Sequence, residues 1–350
     1  MTISEYTTAP RLTINAGVAL EFASGKKLTV GGGYPYSGSL YALGTAASRV
    51  VFRAYSSVDG DWEGIHFTQY SDDWGGVSLM DYVTVRHANN QNILIENTSQ
   101  PTLTNGIIRN SLHDGIVLTG AANPVIQNNS FSNHPGYPLR FSNWDCDPYL
   151  SGNTFTSNGM NYISLSGGDY GASRTLRFTG IPYHVLGDII MSEYTTPVRL
   201  TVKPGITMLF DPGTSLQIGG GYPYTGSLYA DGTADSLITF KPYNNTAGGW
   251  DGIQFTMYSD DWGGTASMKY CIVEKAATAN LFCTGTTQPI IRNCTFRNST
   301  GDGLKLTGDA NLSIKNSTFT YNTGNGIFLE GTATMSLGDS SNLTCNVYNN

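Results

Sequence analysis

The stretch Asn92–Gly120, NILIENTSQPTLTNGIIRNSLHDGIVLTG, decides the fold. An apolar triplet near its start recurs near its end, and the same spacing continues beyond it. The triplets begin at Ile93, Ile116, Leu139 and Ile163. Between two triplets, Leu103 lies between two threonines and Ile108 is followed by an arginine, a pattern typical of short, half-buried strands. Each period therefore predicts three short strands separated by turns.

Two further tracks keep the same period. The second strand of each period follows Pro101, Pro124 and Pro148, and the third is centred on Ile108, Phe131 and Phe155. Later in the chain the period reappears at Leu281, Leu304 and Ile327. Strands that recur once per period pair with their own repeats, and parallel connections are right-handed. The sequence thus predicts an all-β protein, a right-handed parallel β-helix (solenoid) with three short strands per rung.

A longer duplication is superimposed on this period. The segment GGGYPY at Gly31–Tyr36 returns at Gly219–Tyr224, and the segments SEYTT and SDDWGG return at the same offset. We expect residues 1–188 to form a first super-repeat of seven rungs and residues 189–350 a second, truncated one, in a continuous rod. The prediction is about thirteen rungs, or a length on the order of 60 Å at roughly 4.8 Å per rung.

Composition excludes several protein classes. The chain has 350 residues, of which 42 are glycine and only 13% are charged, while aromatic residues reach 11%. No Gly-X-Y period exists, which excludes collagen, and a chain with so few charges and so many aromatic residues is expected to fold. A net charge of −7 without a basic stripe argues against a nucleic-acid partner. No apolar run is long enough to span a membrane, and we expect no signal peptide in residues 1–30, which lack a basic start followed by an apolar run.

Asparagine residues occupy one predicted turn in register, at Asn105, Asn128, Asn293 and Asn316. Asparagine tolerates left-handed φ and can satisfy backbone groups, so this ladder is expected to be structural. With this ladder and its three periodic sets of strands, the chain resembles right-handed parallel β-helix proteins of the pectate-lyase-like superfamily, which carry the carbohydrate-binding and sugar-hydrolase repeat. The segments GSLYALGT from Gly38 and GSLYADGT from Gly226 are similar to secreted bacterial β-helix repeat proteins. This fold hosts lyases, hydrolases, adhesins and inert stalks, so it constrains function poorly.

Two insertions at equivalent turns of adjacent rungs are the best candidates for a binding site. We expect them to stack on one edge and to bring Tyr34, Tyr36 and Trp74 close to Asp72 and Asp73. Aromatic faces beside carboxylates suit a sugar ring and its hydroxyl groups. The second super-repeat places the same patch at Tyr222, Tyr224, Asp260, Asp261 and Trp262, and Trp144, Asp145 and Asp147 occupy this turn three rungs beyond the first patch.

Structural interpretations of the same residues remain open. The aromatic loops could fold back as lids over the rungs, with the aspartates capping turns. No cofactor is expected. A Ca²⁺ site at the acidic pairs is the alternative, although neither an EF-hand nor a glycine-aspartate nonapeptide spacing supports it. Trp62 and Trp250 are expected to fill corners ahead of a strand rather than to bind a ligand.

The sequence does not contain the groups of catalytic residues that an enzyme of this superfamily needs. The resemblance implies that a lyase would need Ca²⁺-binding carboxylates with an arginine base, and a hydrolase clustered aspartates with His-Gly and Arg-x-Lys segments; neither set matches. The histidines of the first super-repeat are not duplicated, so we expect isolated surface residues at His66, His87, His113 and His134. No catalytic residue is therefore predicted.

The five cysteines favour no disulfide framework, because Cys271 and Cys283 replace inward apolar residues of the first super-repeat. No capping helix opens the chain, so end-to-end self-association is an expectation. We predict a non-catalytic β-helical stalk of a secreted or cell-surface, bacterial protein whose loops contact a polysaccharide or surface glycan. The alternatives are a polysaccharide lyase or glycoside hydrolase, and a self-assembling structural rod.

Overall fold

The structure, a computed structural model, describes residues 1–143, 145–259, 265–337, 346–348 and 350. Strands and turns make up these residues almost entirely, and one short 3-10 segment, Asp73–Gly75, interrupts them. The chain divides into two compact units. Unit 1 comprises Met1–Leu165 and Thr179–Ile181, and unit 2 comprises Ser166–Phe178 and Pro182–Asn350.

Unit 1 is built from three parallel sheets, each of which receives one strand per coil. The first sheet contains β1 (Thr2–Ile3), β4 (Leu28–Val30), β7 (Ile65–Phe67), β10 (Gln91–Glu96), β13 (Asp114–Thr119), β16 (Leu139–Phe141) and β19 (Ile163–Leu165). The second contains β2 (Arg11–Asn15), β5 (Ser39–Leu43), β8 (Leu79–Asp81), β11 (Thr102–Thr104), β14 (Val125–Gln127) and β17 (Tyr149–Ser151). The third contains β3 (Ala19–Phe22), β6 (Val50–Ala54), β9 (Val83–Arg86), β12 (Ile107–Arg109), β15 (Ser130–Ser132) and β18 (Thr154–Thr156).

Unit 2 repeats this plan with a fourth, a fifth and a sixth group of strands. The fourth contains β22 (Tyr183–Val185), β25 (Thr207–Phe210), β28 (Ile238–Pro242), β31 (Cys271–Glu274), β34 (Thr295–Arg297), β37 (Thr318–Thr320) and β40 (Asn346–Tyr348). The fifth contains β20 (Gly168–Tyr170), β23 (Ile189–Met191), β26 (Ser215–Ile218), β29 (Gly252–Phe255), β32 (Ala279–Thr284), β35 (Asp302–Thr307) and β38 (Ile327–Leu329). The sixth contains β21 (Arg174–Leu176), β24 (Val198–Val202), β27 (Gly226–Asp231), β30 (Ser267–Lys269), β33 (Ile290–Arg292), β36 (Asn311–Lys315) and β39 (Thr334–Leu337).

The predicted parallel β-helix with three strands per rung is therefore confirmed. The first sheet of unit 1 and each strand group of unit 2 contain seven strands, which gives about fourteen turns and agrees with the expected count of about thirteen rungs. The division of the duplication at residue 188 stays a prediction.

The register explains the periodic apolar residues. Ile93 pairs with Ile116 in the first sheet and Leu103 with Ile126 in the second, so each inward side chain stacks on its own repeat. In the third sheet Phe131 lies over Phe155, with ring centroids 5.2 Å apart. These stacked side chains form the core of each unit, and nearly all of them are fully buried. Burial of apolar surface along such columns is the main favourable contribution to folding.

The asparagine ladder lies at the corner that the sequence predicts. Asn105, Asn128, Asn293 and Asn316 all adopt positive φ, between 49° and 56°. A second amide column, which the sequence pattern does not single out, lies inside the coil next to it. Asn129 Nδ2 donates to the Leu103 carbonyl oxygen at 2.9 Å, and its Oδ1 accepts from the Gly106 amide at 2.7 Å. Buried amides thus satisfy the backbone groups that a sharp corner leaves unpaired.

Two further structural expectations are confirmed. Trp62 and Trp250 are fully buried corner residues, and their indole N–H groups donate to the carbonyl oxygens of Arg86 and Glu274 at 2.8 and 2.9 Å. Within the described part of the chain, four cysteines are buried, as expected for inward apolar residues at Cys271 and Cys283: Cys146, Cys271, Cys283 and Cys294. Burial raises the pKa of the Cys271 thiol, which suits an inert core residue.

The expectation that the histidines lie on the surface is wrong for two of them. His113 is exposed, but His87 and His134 are buried, at 8% and 1% exposure. His134 lies at a different corner, after β15, where Asn158 is its counterpart in the next coil. Its Nε2 lies 3.0 Å from the Ile108 carbonyl oxygen and its Nδ1 lies 2.8 Å from Ser111 Oγ. Burial lowers its pKa to about 4, so the ring is neutral near pH 7.

Candidate functional site

The first aromatic loop, residues 31–38, leaves the strand β4 of the first sheet of unit 1. Gly31 adopts φ +78°, and a Cβ there would lie 2.5 Å from Thr68 Oγ1, so glycine permits close approach of the second loop. Backbone hydrogen bonds from Gly32 to Tyr36 and from Tyr36 to Gly33, both 2.7 Å, close the turn around a cis Tyr34–Pro35 bond. The turn projects the ring of Tyr34 into solvent, and this residue is 81% exposed.

The second loop, residues 68–78, lies against the first. Its 3-10 segment presents Trp74, which is 66% exposed and has φ 58°. Ser37 Oγ of the first loop donates to the Asp73 carbonyl oxygen at 2.7 Å. The two insertions therefore stack on one edge of unit 1, as the sequence predicts.

A third segment, which the sequence pattern leaves out of the site, completes this edge. Glu5 and Ser37 form an antiparallel bridge, with backbone hydrogen bonds of 2.9 and 3.1 Å, and place Tyr6 beside Tyr36. The signal was present in the sequence, because the SEYTT segment containing Tyr6 is duplicated along with the loops.

The exposed rings are braced by other tyrosines. The Tyr34 ring packs against Tyr70 at a centroid distance of 6.0 Å, and Tyr36 packs against Tyr6 at 5.9 Å, both tilted by nearly 60°. Tilted aromatic pairs of this kind contribute about 0.5–1.5 kcal/mol beyond area burial. We call Tyr6, Tyr34, Tyr36, Tyr70 and Trp74 the aromatic patch. The rings of Tyr34 and Tyr36 are held by neighbouring tyrosines and remain open to solvent, which argues against the interpretation of the loops as lids.

The two aspartates of the second loop have different environments. Asp72 Oδ2 accepts hydrogen bonds from Ser71 Oγ, Ser99 Oγ and the Gln100 amide, at 3.2, 3.2 and 2.9 Å. Asp73 is exposed, and its carboxylate has no hydrogen-bond partner among the described residues. Asp72 therefore anchors the loop to the next coil, whereas Asp73 is available to a ligand.

A polar cleft opens beside the patch. It has a volume of about 390 Å³ and is lined by Gln69, Asp72, Asp73, Gly76, Val77, Thr98 and Gln100. Side-chain amide, hydroxyl and carboxylate groups dominate this lining, and they are the groups that pair with sugar hydroxyls.

In unit 2 the equivalent tyrosine rings pack against each other in the same way. The centroid distances are 5.8 Å for Tyr222 with Tyr258 and 6.0 Å for Tyr194 with Tyr224. Tyr222 and Tyr224 are exposed, as their counterparts are in unit 1. A cleft of about 450 Å³ also reaches Tyr224, along Glu193 and Asp169.

Six further predicted site residues are not part of the patch that the structure describes. Asp260, Asp261, Trp262 and Trp144 lie outside the described residues. Asp145 and Asp147 lie in a turn in which their backbone amides are held by the side chains of Asn143 and Asn123, at 2.9 and 2.7 Å. No group of three or more metal-ligating side chains occurs among the residues that the structure describes. The Ca²⁺ alternative stays a prediction. No described helix is long and apolar enough to cross a membrane.

Comparisons with known families agree with the coil architecture. A family model for a right handed beta helix region matches residues 47–180 and 242–350, which is more than half of the chain. The chain therefore belongs to the right-handed β-helix family.

Individual relatives are distant. Protein bark beetle of Drosophila melanogaster is 37% identical over 91 residues, which cover 26% of this chain and only 3% of that protein. The catalytic unit of the thermostable GH87 alpha-1,3-glucanase from Streptomyces thermodiastaticus is 13% identical with a TM-score of 0.35, covering 96% of this chain and 67% of that one. A GH87 alpha-1,3-glucanase catalytic domain in complex with tetrasaccharides is 14% identical with a TM-score of 0.29, covering 96% and 63%. Likenesses at these scores carry no argument about activity.

Proposed function

We propose that the chain is a non-catalytic β-helical stalk or scaffold segment of a secreted or cell-surface protein, and that its aromatic patches bind carbohydrate. The observation that carries the proposal is the pair of braced, solvent-exposed tyrosines, present with the same geometry in both units. Clustered aromatic rings that stay open to solvent are typical of an interaction surface. Rings fixed in advance lose little conformational entropy when a ligand binds.

The chemistry around the rings favours a sugar over an apolar ligand. A pyranose ring presents C–H groups to an aromatic face and hydroxyl groups at its edge. Tyr34 and Trp74 offer such faces, and the Asp73 carboxylate with the polar cleft offers acceptors and donors at the edge. Two patches on one chain would add avidity, since the second contact benefits from a high effective concentration.

Binding to a glycan array and to insoluble polysaccharides would test this proposal. We expect the double variant Tyr34→Ala and Tyr222→Ala to lose most of the binding of the unchanged chain. Tyr55→Ala is the matched control, because Tyr55 is 74% exposed but lies outside both patches. Equal binding by the double variant and the unchanged chain would refute a role for the patches.

The same samples can separate binding from turnover. Release of reducing ends from each bound polysaccharide, with and without Ca²⁺, should stay at the level of a blank. Turnover that Asp73→Ala abolishes would instead favour the hydrolase or lyase alternative. The self-assembling rod stays a prediction, for which sedimentation velocity at increasing protein concentration is the direct measurement.

A further inference from the structure

The clefts beside the aromatic patches of the two units share a negative charge that a neutral sugar does not require. In unit 1 the cleft of about 390 Å³ is lined by Asp72 and Asp73, and in unit 2 the cleft of about 450 Å³ is lined by Asp169 and Glu193. Among the described residues, neither lining includes a lysine or an arginine. Each cleft therefore carries carboxylates that no cation of its own lining compensates.

The two clefts extend in different directions from the aromatic loops. In unit 1 the cleft continues toward a later coil, to Thr98 and Gln100, whereas in unit 2 it continues from Tyr224 toward an earlier coil, to Asp169 of β20. The shared property is thus the negative charge next to exposed rings, not a copied set of lining residues.

One acidic residue is duplicated together with the rings. Glu5 and Glu193 are counterparts at the offset of the duplication. Oε1 of each accepts a hydrogen bond from the amide of the next residue, Tyr6 or Tyr194, at 2.8 and 2.7 Å. These two tyrosines pack against the exposed rings of their patches. The hydrogen bond fixes a carboxylate beside each ring pair, and among the described residues it leaves Oε2 without a hydrogen-bond partner.

Unit 1 holds a further carboxylate next to an aromatic face. Asp73 is exposed and directly precedes Trp74, which is 66% exposed. The carbonyl oxygen of Asp73, not its carboxylate, accepts the hydrogen bond from Ser37 Oγ at 2.7 Å. The loop therefore holds this carboxylate in position and leaves it available to a ligand.

From this shared charge we infer that the preferred ligand is a cationic glycan, a chain of sugars that bear free, protonated amino groups; the inference rests on the carbohydrate-binding function proposed above. An ammonium group over a tyrosine or tryptophan face gains a cation–π attraction. Carboxylates such as those of Glu5, Asp73 and Glu193 accept charge-assisted hydrogen bonds from the same ammonium groups. A neutral glycan would use the ring faces and the uncharged part of the lining alone.

The lining disfavours an acidic glycan and favours a sugar over a basic peptide. Uncompensated carboxylates repel acidic sugars, and the net charge of −7 attracts polycations. Neutral amides and hydroxyls line other parts of both clefts, and they pair with sugar hydroxyl groups, which a lysine side chain does not have. They belong to Gln69, Thr98 and Gln100 in unit 1 and to Ser192 and Gln217 in unit 2.

Acetylation supplies the matched pair of probes, because it removes the charge of an amino sugar and keeps the sugar ring. The probes are oligomers of glucosamine and of N-acetylglucosamine of equal length, and the measurement is titration calorimetry. We expect the glucosamine oligomers to bind at least about tenfold more tightly at low salt. This difference should shrink as the salt concentration rises, because salt screens exposed charges.

Neutral variants of the same shape test the carboxylates. The pair Asp73→Asn and Glu193→Gln should lose most of the preference for glucosamine oligomers and keep the binding of acetylated ones. Glu193→Gln retains an oxygen for the Tyr194 amide, so we expect the loop to fold. The control pair Asp59→Asn and Asp235→Asn makes the same change in net charge at exposed positions outside both clefts, one in each unit, and should keep the full preference.

The outcomes separate this inference from the proposed function. Equal affinity for the two oligomers, lost in the double variant Tyr34→Ala and Tyr222→Ala, would overturn the cationic ligand and leave carbohydrate binding intact. An equal loss of preference in the control pair, or an unchanged preference in the carboxylate pair with native circular dichroism, would also overturn the inference. Tighter binding of oligolysine than of glucosamine oligomers would assign the clefts to a basic protein instead. Absence of binding to every glycan tested would overturn both proposals.

Discussion

Unit 1 and unit 2 differ little in the interior and substantially on the surface. At one interior corner, His134 of unit 1 and Asn322 of unit 2 occupy equivalent positions. Both face a carbonyl oxygen, of Ile108 and Phe296, at 3.0 and 3.3 Å. On the outer face, Arg86 and Glu274 are also equivalent but have opposite charge. At this corner the interior accepts a different residue that faces the same backbone carbonyl, whereas on the exterior the charge itself changes sign.

The largest expected effect is at the buried tryptophans. Trp62→Ala should cost about 3–5 kcal/mol of unfolding free energy, through a cavity and an unpaired carbonyl group. Trp250→Ala should cost about as much, because both indoles stack on a phenylalanine, Phe22 or Phe210, at 4.6 and 4.4 Å. Denaturant unfolding followed by circular dichroism would measure both losses. A clearly smaller loss in one unit would show that the interiors differ more than their shared geometry indicates.

The exposed Trp74 is the control for that measurement. Trp74→Ala should change stability by less than about 0.5 kcal/mol, since most of its side chain is exposed.

The next effect is a pH dependence of the unfolding free energy that comes from His134 of unit 1; its counterpart in unit 2, Asn322, does not titrate. The folded-state pKa of His134 is about 4, below its ordinary value of 6.5, because burial disfavours the charged ring. Above pH 6.5 both the folded and the unfolded state are neutral there, and this group adds no pH dependence. As the pH falls from 6.5 to 4, the unfolded state takes up the proton and the folded state does not. Stability should drop by about 3 kcal/mol over this window.

Replacing His134 by the residue of unit 2 tests this origin. His134→Asn should remove that part of the acid sensitivity while it keeps a donor for the Ile108 carbonyl oxygen. The measurement is the difference in unfolding free energy between the two proteins at several pH values from 4 to 7. A difference that does not change with pH would contradict a neutral, buried ring.

The smallest effect concerns the duplicated loops. Asp72→Ala should cost about 1–2 kcal/mol, because Ser99 Oγ and the Gln100 amide lose their acceptor. Asp73→Ala should leave stability unchanged, since its carboxylate is exposed. Thermal unfolding of the two variants would compare them directly. A cost at Asp73 equal to that at Asp72 would mean that both aspartates are structural.

Most of the fold can be predicted from the period of the apolar residues. The pairing of Leu103 with Ile126 and of Ile108 with Phe131 can be predicted from the sequence, because residues one period apart lie on neighbouring strands of a solenoid. The same period gives the count of about thirteen rungs, which agrees with the about fourteen turns of the structure. The surface expectation fails for His134 because a lone histidine among Asn and Ser residues carries no sign of the corner that buries it.

The candidate site is only partly visible in the sequence. Duplication marks Tyr34, Tyr36 and Trp74, because loops that return unchanged in the second super-repeat stand out. Tyr6 and Tyr70 become part of the patch through ring contacts that depend on how three separate segments meet. The different environments of Asp72 and Asp73 are likewise decided by the next coil, which supplies Ser99 and Gln100.

The sequence by itself determined the coil, its period and the residues that fill its core. In a repeating structure, residues one period apart contact each other, so the contacts can be read from the repeat in the sequence. The tertiary structure alone decided which polar groups are satisfied. Among the described residues Arg86 has no carboxylate partner, whereas Glu274 accepts a hydrogen bond from Arg297. The residue one coil further along the chain is an arginine in both cases, Arg109 and Arg297. Charge compensation depends on distances between side chains of different coils, and those distances exist only once the coils are stacked.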